Sequence, residues 1–262
     1  MRWLPQKTIS WVGKTLMQTK KESNIDQKGL VEGLFGVGAH FGFVKARRHP
    51  SAKPFIFGAK NKVEIFDLEK TSIELTKATA FLESKGKEGV MGLFVGGKSE
   101  AREAVINAGK TLEMPFVSGR WIGGALTNYS EIKKRIMRLE ELTTAREKGE
   151  LSKYTKKERL LIDREIDKLH LYFSGLSLMK ALPKFLVVVD SKKEHIAVSE
   201  AKKMRIPVVA LAGSDTNLHD VDYAIPGNDS SRQSIAFILA ELVKAYQKGK
   251  EEYDHNRTNQ TA

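Results

Sequence analysis

Phe185-Leu-Val-Val-Val-Asp190 is a run of apolar residues closed by an aspartate, and Val208-Val-Ala-Leu-Ala-Gly213 repeats the figure closed by a glycine. Neither run alternates with polar residues, so each suits a strand buried on both faces. Between them, residues 194–204 carry apolar side chains at helical spacing. One amphipathic helix between two such strands is the parallel crossover. Upstream, Val90-Met-Gly-Leu-Phe-Val95 precedes a helix expected over 100–112, and Phe116-Val117 runs into a glycine-rich loop. Downstream, Tyr223-Ala-Ile-Pro-Gly227 precedes a final helix expected over 231–247. The pattern predicts an α/β chain with a doubly wound parallel sheet covered on both faces. Ahead of it, residues 63–68 read as a strand and 71–85 as a helix with Ile73, Leu75, Ala78, Phe81 and Leu82 inward.

Residues 129–174 interrupt this alternation. Ile132, Ile136 and Leu139 are spaced four and three apart, and Ile162, Ile166, Leu169 and Phe173 repeat the rhythm beyond a polar turn near 149–155. Leu142, Leu160 and Leu161 broaden the seam. A narrow apolar seam with charge elsewhere predicts an antiparallel coiled-coil helical hairpin protruding from the sheet domain. The expected organisation is a basic N-terminal extension over 1–28, a sheet domain over 29–128 and 175–248, the hairpin over 129–174, and a polar, disordered tail over 249–262.

The 262 residues include 44 Lys and Arg against 32 Asp and Glu, a formal charge of +12. That balance favours a polyanionic partner, nucleic acid first and anionic membrane second. A hydrophobic content of 41% supports a packed core. The absence of cysteine excludes disulfides, thiolate catalysis and zinc-thiolate sites. No apolar run approaches the roughly 18 residues that would span a bilayer, and the chain reads as soluble. The leader combines Trp3, Ile9, Trp11, Val12, Leu16 and Met17 with Arg2, Lys7, Lys14, Lys20 and Lys21, which fits a docking extension better than a targeting presequence.

From Gly33 to Val63 there is no acidic residue. Lys45, Arg47, Arg48, Lys53, Lys60 and Lys62 are interleaved there with Phe35, His40, Phe41, Phe43, His49, Phe55 and Phe57, and glycines break the segment into turns. Cations for phosphates beside aromatics for stacking are what single-stranded or looped RNA requires. Several of the phenylalanines are expected to pack inward, which leaves the cations as the contacts. Neutralising Arg47 and Arg48 together is expected to weaken RNA binding with little effect on stability. A second candidate is Gly119-Arg120-Trp121, on a loop whose Thr127 or Asn128 can cap the helix opening at Tyr129. Trp121 reads equally as a plug of the core, and Arg120 as the partner of a carboxylate. The RNA-binding set is Lys45, Arg47, Arg48, His49, Lys53, Lys60, Lys62, Lys98, Arg120 and Trp121.

The strand ends carry Gly96-Gly97-Lys98-Ser99, Asp190-Ser191, Gly213-Ser-Asp-Thr-Asn217 and Gly227-Asn228-Asp229, at the edge where a doubly wound enzyme binds its nucleotide. Gly92 to Ser99 even matches the phosphate-loop spacing. A true phosphate loop begins where its strand ends, whereas here Leu93-Phe-Val95 is itself the strand, so the match is rejected. Asp190, Asp215, Asp222 and Asp229 read as caps and turn residues before they read as an acid cluster. The six histidines show no ligand spacing and no nucleophile has an evident base. The chain is therefore expected to be no enzyme, with no cofactor, no metal and no small-molecule substrate.

Together these residues resemble the bacterial form of the small-subunit ribosomal protein two family. The matching stretches are Gly38-Ala-His-Phe-Gly42, Lys53-Pro-Phe-Ile-Phe-Gly58, Ile65-Phe-Asp-Leu-Glu-Lys-Thr71, Leu93-Phe-Val-Gly-Gly-Lys98, Arg120-Trp-Ile-Gly-Gly-Ala-Leu-Thr-Asn128, Thr155-Lys-Lys-Glu158 and Ile225-Pro-Gly-Asn-Asp229. They occur in family order over about residues 30–245. The resemblance implies a flavodoxin-like sheet with a protruding coiled coil. It also implies a non-catalytic component of the cytoplasmic ribosome that binds 16S ribosomal RNA between head and body of the small subunit. Its protein partners would be neighbouring small-subunit proteins, including the large mRNA-binding protein one, which it would help to seat. After Gly42 the family usually continues with His-Gln and then Trp-Asn-Pro, where this chain has Phe43, Val44 and Arg48-His49-Pro50. RNA binding carries over, individual contacts do not. The competing expectations are a nucleotide-dependent enzyme on the same fold and a membrane-surface protein using its leader.

Overall fold

The computed structural model describes residues 28–261, so the basic leader over 1–27 lies outside the described residues. The described chain opens with a helix, α1, over residues 28–36. Three short strands follow, β1 (Phe41–Val44), β2 (Ile56–Lys60) and β3 (Val63–Phe66), in an antiparallel sheet of order β1-β3-β2. Sequence patterning shows only the last of these. The β2–β3 connection is the two-residue turn Asn61-Lys62 with φ of 51° and 67°. Positive φ at both central positions is the hairpin geometry that matches the twist of the strands.

The five-stranded sheet has the order β5-β4-β6-β7-β8 and every pairing is parallel. Its strands are β4 (Gly92–Val95), β5 (Phe116–Val117), β6 (Phe185–Val189), β7 (Val208–Ala212) and β8 (Tyr223–Pro226). The longer helices are α2 (Leu68–Lys87), α3 (Ser99–Leu112), α4 (Tyr129–Glu147), α5 (Lys156–Phe173), α6 (His195–Lys203) and α7 (Arg232–Thr261). Alternation along each strand sorts the core into two layers. Phe94, Val187, Val189, Val209 and Leu211 face α2, α3 and α7. Leu93, Val95, Leu186, Val188 and Val208 belong to one cluster with Ala197, Val198 and Ala201 of α6, Trp121, Ala125 and Leu126, and the buried side chains of α4 and α5. The doubly wound sheet expected from the apolar runs is the fold observed.

Three local expectations are corrected. Ile73 points outward at 46% exposure, and α2 buries Thr71, Ser72, Leu75, Ala78 and Leu82 instead. Leu160 and Leu161 stand half exposed outside the α4–α5 seam, which is built from Ile132, Ile136, Leu139, Leu142, Ile166, Leu169 and Phe173. The stretch after 249, expected to be disordered, continues α7. Here Gly249 and Gly86 bring α7 and α2 so close that a methyl group on either would run into the facing backbone. Lys87–Glu252 and Lys248–Glu83 ion pairs join the two helices at the same place. Packing against α2 thus holds α7 past the polar residues that begin at 249.

Candidate nucleic-acid interface

A doubly wound enzyme leaves a crevice at the carboxyl ends of its strands. In this protein that edge is occupied by its own acid-free segment. The backbone N–H of Phe43 donates to Ser214 Oγ at 2.9 Å, and that of His49 to the Ser214 carbonyl at 2.8 Å. Ser51 Oγ accepts from the Leu218 N–H at 3.0 Å. These bonds lay the segment against the connection that follows the carboxyl end of β7. A side chain at Gly213 would strike the Phe43 ring.

Beneath that ring lies an ion cluster. Lys98 Nζ is 2.8 Å from Asp190 Oδ2, 2.8 Å from Asp229 Oδ2 and 3.2 Å from the Asp229 carbonyl, and 6.0 Å from the centre of the Phe43 ring. Burial alone would lower the Lys98 pKa, but Asp229 and Asp190 outweigh it and hold the ammonium above its ordinary value. Asp229 itself is pushed up, first by burial and then by Asp190 and Asp215, against the pull of Lys98. Both directions follow from one ammonium serving two buried carboxylates. Asp190 Oδ1 also accepts the N–H groups of Lys192 and Lys193, a turn role as expected, whereas Asp222 Oδ2 accepts the N–H of Val208 far along the chain. Glu194 accepts the Gly97 N–H at 3.1 Å, and burial pushes its carboxyl up. β4 runs from Gly92 to Val95 inside the phosphate-loop match, which confirms that the match is a strand rather than a cradle.

The structure divides the ten candidate residues. Lys45, Arg47, Lys53, Lys60, Lys62 and Arg120 are exposed. Lys60 pairs with Val63, Val63 pairs with Val44, and the Lys45 N–H donates to the Lys62 carbonyl, so Lys45, Lys60 and Lys62 gather at one end of the antiparallel sheet. Arg47 sits 5.1 Å over the Phe43 ring and 4.0 Å from Asp215, with 60% of its side chain exposed. Lys53 precedes β2 at the other end. His49 is half-buried and its ring accepts the Ser51 N–H, an anchoring role. Lys98 is committed to the ion cluster. Trp121 is 5% exposed, so its faces are not available for stacking and the core-plug reading holds. Phe43 and Phe55 pack inward as expected for part of the set, but Phe35, Phe41 and Phe57 are 63%, 50% and 81% exposed.

Arg48 is corrected as well. Its Nη1 donates to Glu64 Oε1 at 2.9 Å, and the Glu64 side chain is 1% exposed. Removing one partner of such a pair strands a buried charge and costs about 3–5 kcal/mol, reduced here because Arg48 keeps 24% of its side chain in water. Arg48→Ala should therefore destabilise by about 2–4 kcal/mol in urea unfolding, while Arg47→Ala should stay within about 0.5 kcal/mol of wild type. Equal midpoints for the two variants would show that Glu64 finds another partner. The double neutralisation of Arg47 and Arg48 is therefore expected to cost stability through Arg48, not to spare it.

The residue that patterning missed is Glu200, buried in α6. Its carboxylate accepts five hydrogen bonds: Trp121 Nε1 at 3.2 Å, the N–H groups of Gly124, Leu126 and Thr127 at 2.7, 3.0 and 3.2 Å, and Thr127 Oγ1 at 3.3 Å. Burial would raise its pKa, but these donors outweigh burial and hold it below the ordinary carboxylate range. Glu200 thus shapes the whole Arg-Trp loop and leaves Arg120 outermost. The loop's anticipated cap is altered too, since Asn128 occupies the N-cap of α4 without a side-chain capping bond and Thr127 serves Glu200. The only sequence sign was an acid among Ala197, Val198 and Ala201 on a buried helix face.

The class the fold and site define is a doubly wound sheet whose nucleotide edge is filled from within, with exposed cations on the small sheet beside it. The family model of ribosomal protein S2 matches residues 34–249. The small ribosomal subunit protein uS2 of Coprothermobacter proteolyticus is 41% identical over 218 residues, 83% of this chain and 81% of that protein. The uS2 of Francisella tularensis subsp. novicida is 42% identical over 216 residues, 82% of this chain and 90% of that protein. The uS2 of Thermus thermophilus is 41% identical over 213 residues, 81% of this chain and 83% of that protein. The chain belongs to the ribosomal protein S2 family, a family of structural ribosomal proteins and not of enzymes. Among the described residues no helix is long and apolar enough to cross a membrane, and no cluster of metal-ligating residues is present.

Proposed function

We propose that this protein is a structural constituent of the small ribosomal subunit that binds 16S ribosomal RNA through the Lys45, Lys60 and Lys62 end of its antiparallel sheet, flanked by Arg47. One observation carries this reading: three cations separated in sequence are gathered at one sheet end, and none is paired with a carboxylate among the described residues. Unpaired exposed cations on a rigid sheet are suited to phosphates, because nothing must be broken before they bind. Lys53 and Arg120 extend the cationic surface. The α4–α5 pair, with its narrow seam, would act as an antiparallel coiled coil reaching from the sheet domain to neighbouring ribosomal proteins. The reading also takes in seating of the large mRNA-binding protein one and residence on the cytoplasmic ribosome, and membership of the S2 family supports it.

The test is a salt titration of binding to a small-subunit RNA fragment, wild type against Lys45→Ala/Lys60→Ala. Each lost phosphate contact flattens the logarithmic salt slope by about 0.7 for single-stranded and about 0.9 for duplex geometry. The double variant should therefore flatten it by about 1.4 to 1.8 with an unchanged melting temperature. Identical slopes would move the interface to Arg120 and the hairpin cations.

A further inference from the structure

A groove of about 380 Å³ opens between α1 and the antiparallel sheet, lined by Val31, Phe35, His40, Phe57 and Glu69 among others. Part of its wall is aromatic. The His40 ring stacks on Phe35 at 4.7 Å and lies 4.1 Å from Phe41. Phe57 at 81% and Phe35 at 63% exposure are the two most exposed large apolar side chains of the described residues. Such a patch in a charged protein marks a surface that something covers. The local charge narrows the choice. In a chain of net charge +12 the carboxylates lining this groove are Asp67, which is paired with Lys70, and the exposed Glu69, and no Lys or Arg lines it. Those carboxylates repel RNA phosphates and attract a basic apolar segment.

We propose that the groove is covered by the leader of the same chain, residues 1–27. The leader has the matching chemistry: Trp3, Ile9, Trp11, Val12, Leu16 and Met17 for the aromatic wall, and Arg2, Lys7, Lys14, Lys20 and Lys21 against only Glu22 and Asp26. It also has the reach. The described chain begins at Lys28, one helical turn or about 5 Å from Val31. The stretch from Met17 to Lys28 spans up to about 35 Å when extended, enough to return the apolar half of the leader onto the wall. Because the segment is tethered at the rim, its effective concentration is on the order of millimolar, so modest contact energy suffices. The leader then acts as a built-in competitor for any apolar partner that would use the same rings.

The chain carries its own probes. Two of its three tryptophans, Trp3 and Trp11, are in the leader, and the third, Trp121, is buried and serves as a constant background. Acrylamide quenching of tryptophan fluorescence is measured on the full chain and on Phe35→Ser/Phe57→Ser, two exposed positions, with the melting temperature of each as the check on the fold. Shielded leader tryptophans in the wild type, with a quenching constant at least about twofold higher in the variant and an unchanged melting temperature, support the proposal. Equal quenching of the two proteins overturns it. So does shielding that vanishes on hundredfold dilution, which assigns the groove to a second copy. A variant that loses RNA affinity without any change in quenching assigns the rings to RNA and equally overturns it.

Discussion

Lys98→Met should lower stability at neutral pH by about 3–5 kcal/mol, read from urea unfolding. The ammonium it removes sits 2.8 Å from both Asp190 and Asp229, whose side chains are 9% and 2% exposed. Two buried carboxylates then face each other with no cation between them. The pH dependence follows from the raised Asp229 pKa. A carboxylate whose folded pKa lies above its unfolded value near 3.8 binds protons more tightly when folded, so its penalty is absent at low pH and grows as pH rises through the folded value. Without Lys98 that pKa climbs further, and the deficit of the variant should shrink on moving from about pH 7 toward about pH 5. The same side chain settles the phosphate-loop question. A lysine held by two carboxylates and capped by Phe43 has no ammonium to offer a nucleotide, so the wild type should show no micromolar binding of ATP, GTP or NAD. A variant as stable as the wild type, or ATP affinity that disappears with Lys98, would reopen the strand-end edge as a ligand site.

Glu200→Ala is expected to cost about 2–4 kcal/mol, because it leaves the donors of Trp121, Gly124, Leu126 and Thr127 without their acceptor in a partly buried loop. Glu200→Gln should fall between, since the amide keeps one acceptor oxygen but turns an N–H₂ toward the remaining donors. The sign with pH is opposite to that of Asp229. Glu200 is depressed below its ordinary 4.5, so its stabilisation is fully present above that value and is lost as pH falls through the folded pKa. Glu200→Gln should therefore flatten the acid limb of the stability profile and change little in its shape above about pH 6. Tryptophan emission reports the loop directly, because Trp121 should shift to the red in Glu200→Ala even below the unfolding transition. An unshifted spectrum with an unchanged midpoint would show that the loop holds its shape without the carboxylate.

The residues that read correctly from the sequence are those whose burial follows from local periodicity. The runs at 185–189 and 208–212 are strands because an unbroken apolar stretch between amphipathic helices must be covered on both faces. The spacing of Ile132, Ile136 and Leu139 likewise located the α4 seam. The absence of acids over 33–63 was legible as charge, and it located the surface on which Lys45, Lys60 and Lys62 are displayed. Which cations face water was not legible, since their partners lie far along the chain. Arg48 is claimed by Glu64, Lys98 by Asp190 and Asp229, and Trp121 by Glu200, and no local pattern contains both members of any of these sets. The small antiparallel sheet was hidden because a glycine-broken segment becomes strands only when β1 and β2 find β3. The continuation of α7 past 249 was hidden because Gly249 meets Gly86 on another helix. Fold class and the sign of the surface were thus written in the order of the residues, because periodicity and net charge are carried by neighbours in the chain. Which charges remain unpaired was written nowhere in that order, because ion pairing and burial depend on distances that only the assembled fold creates.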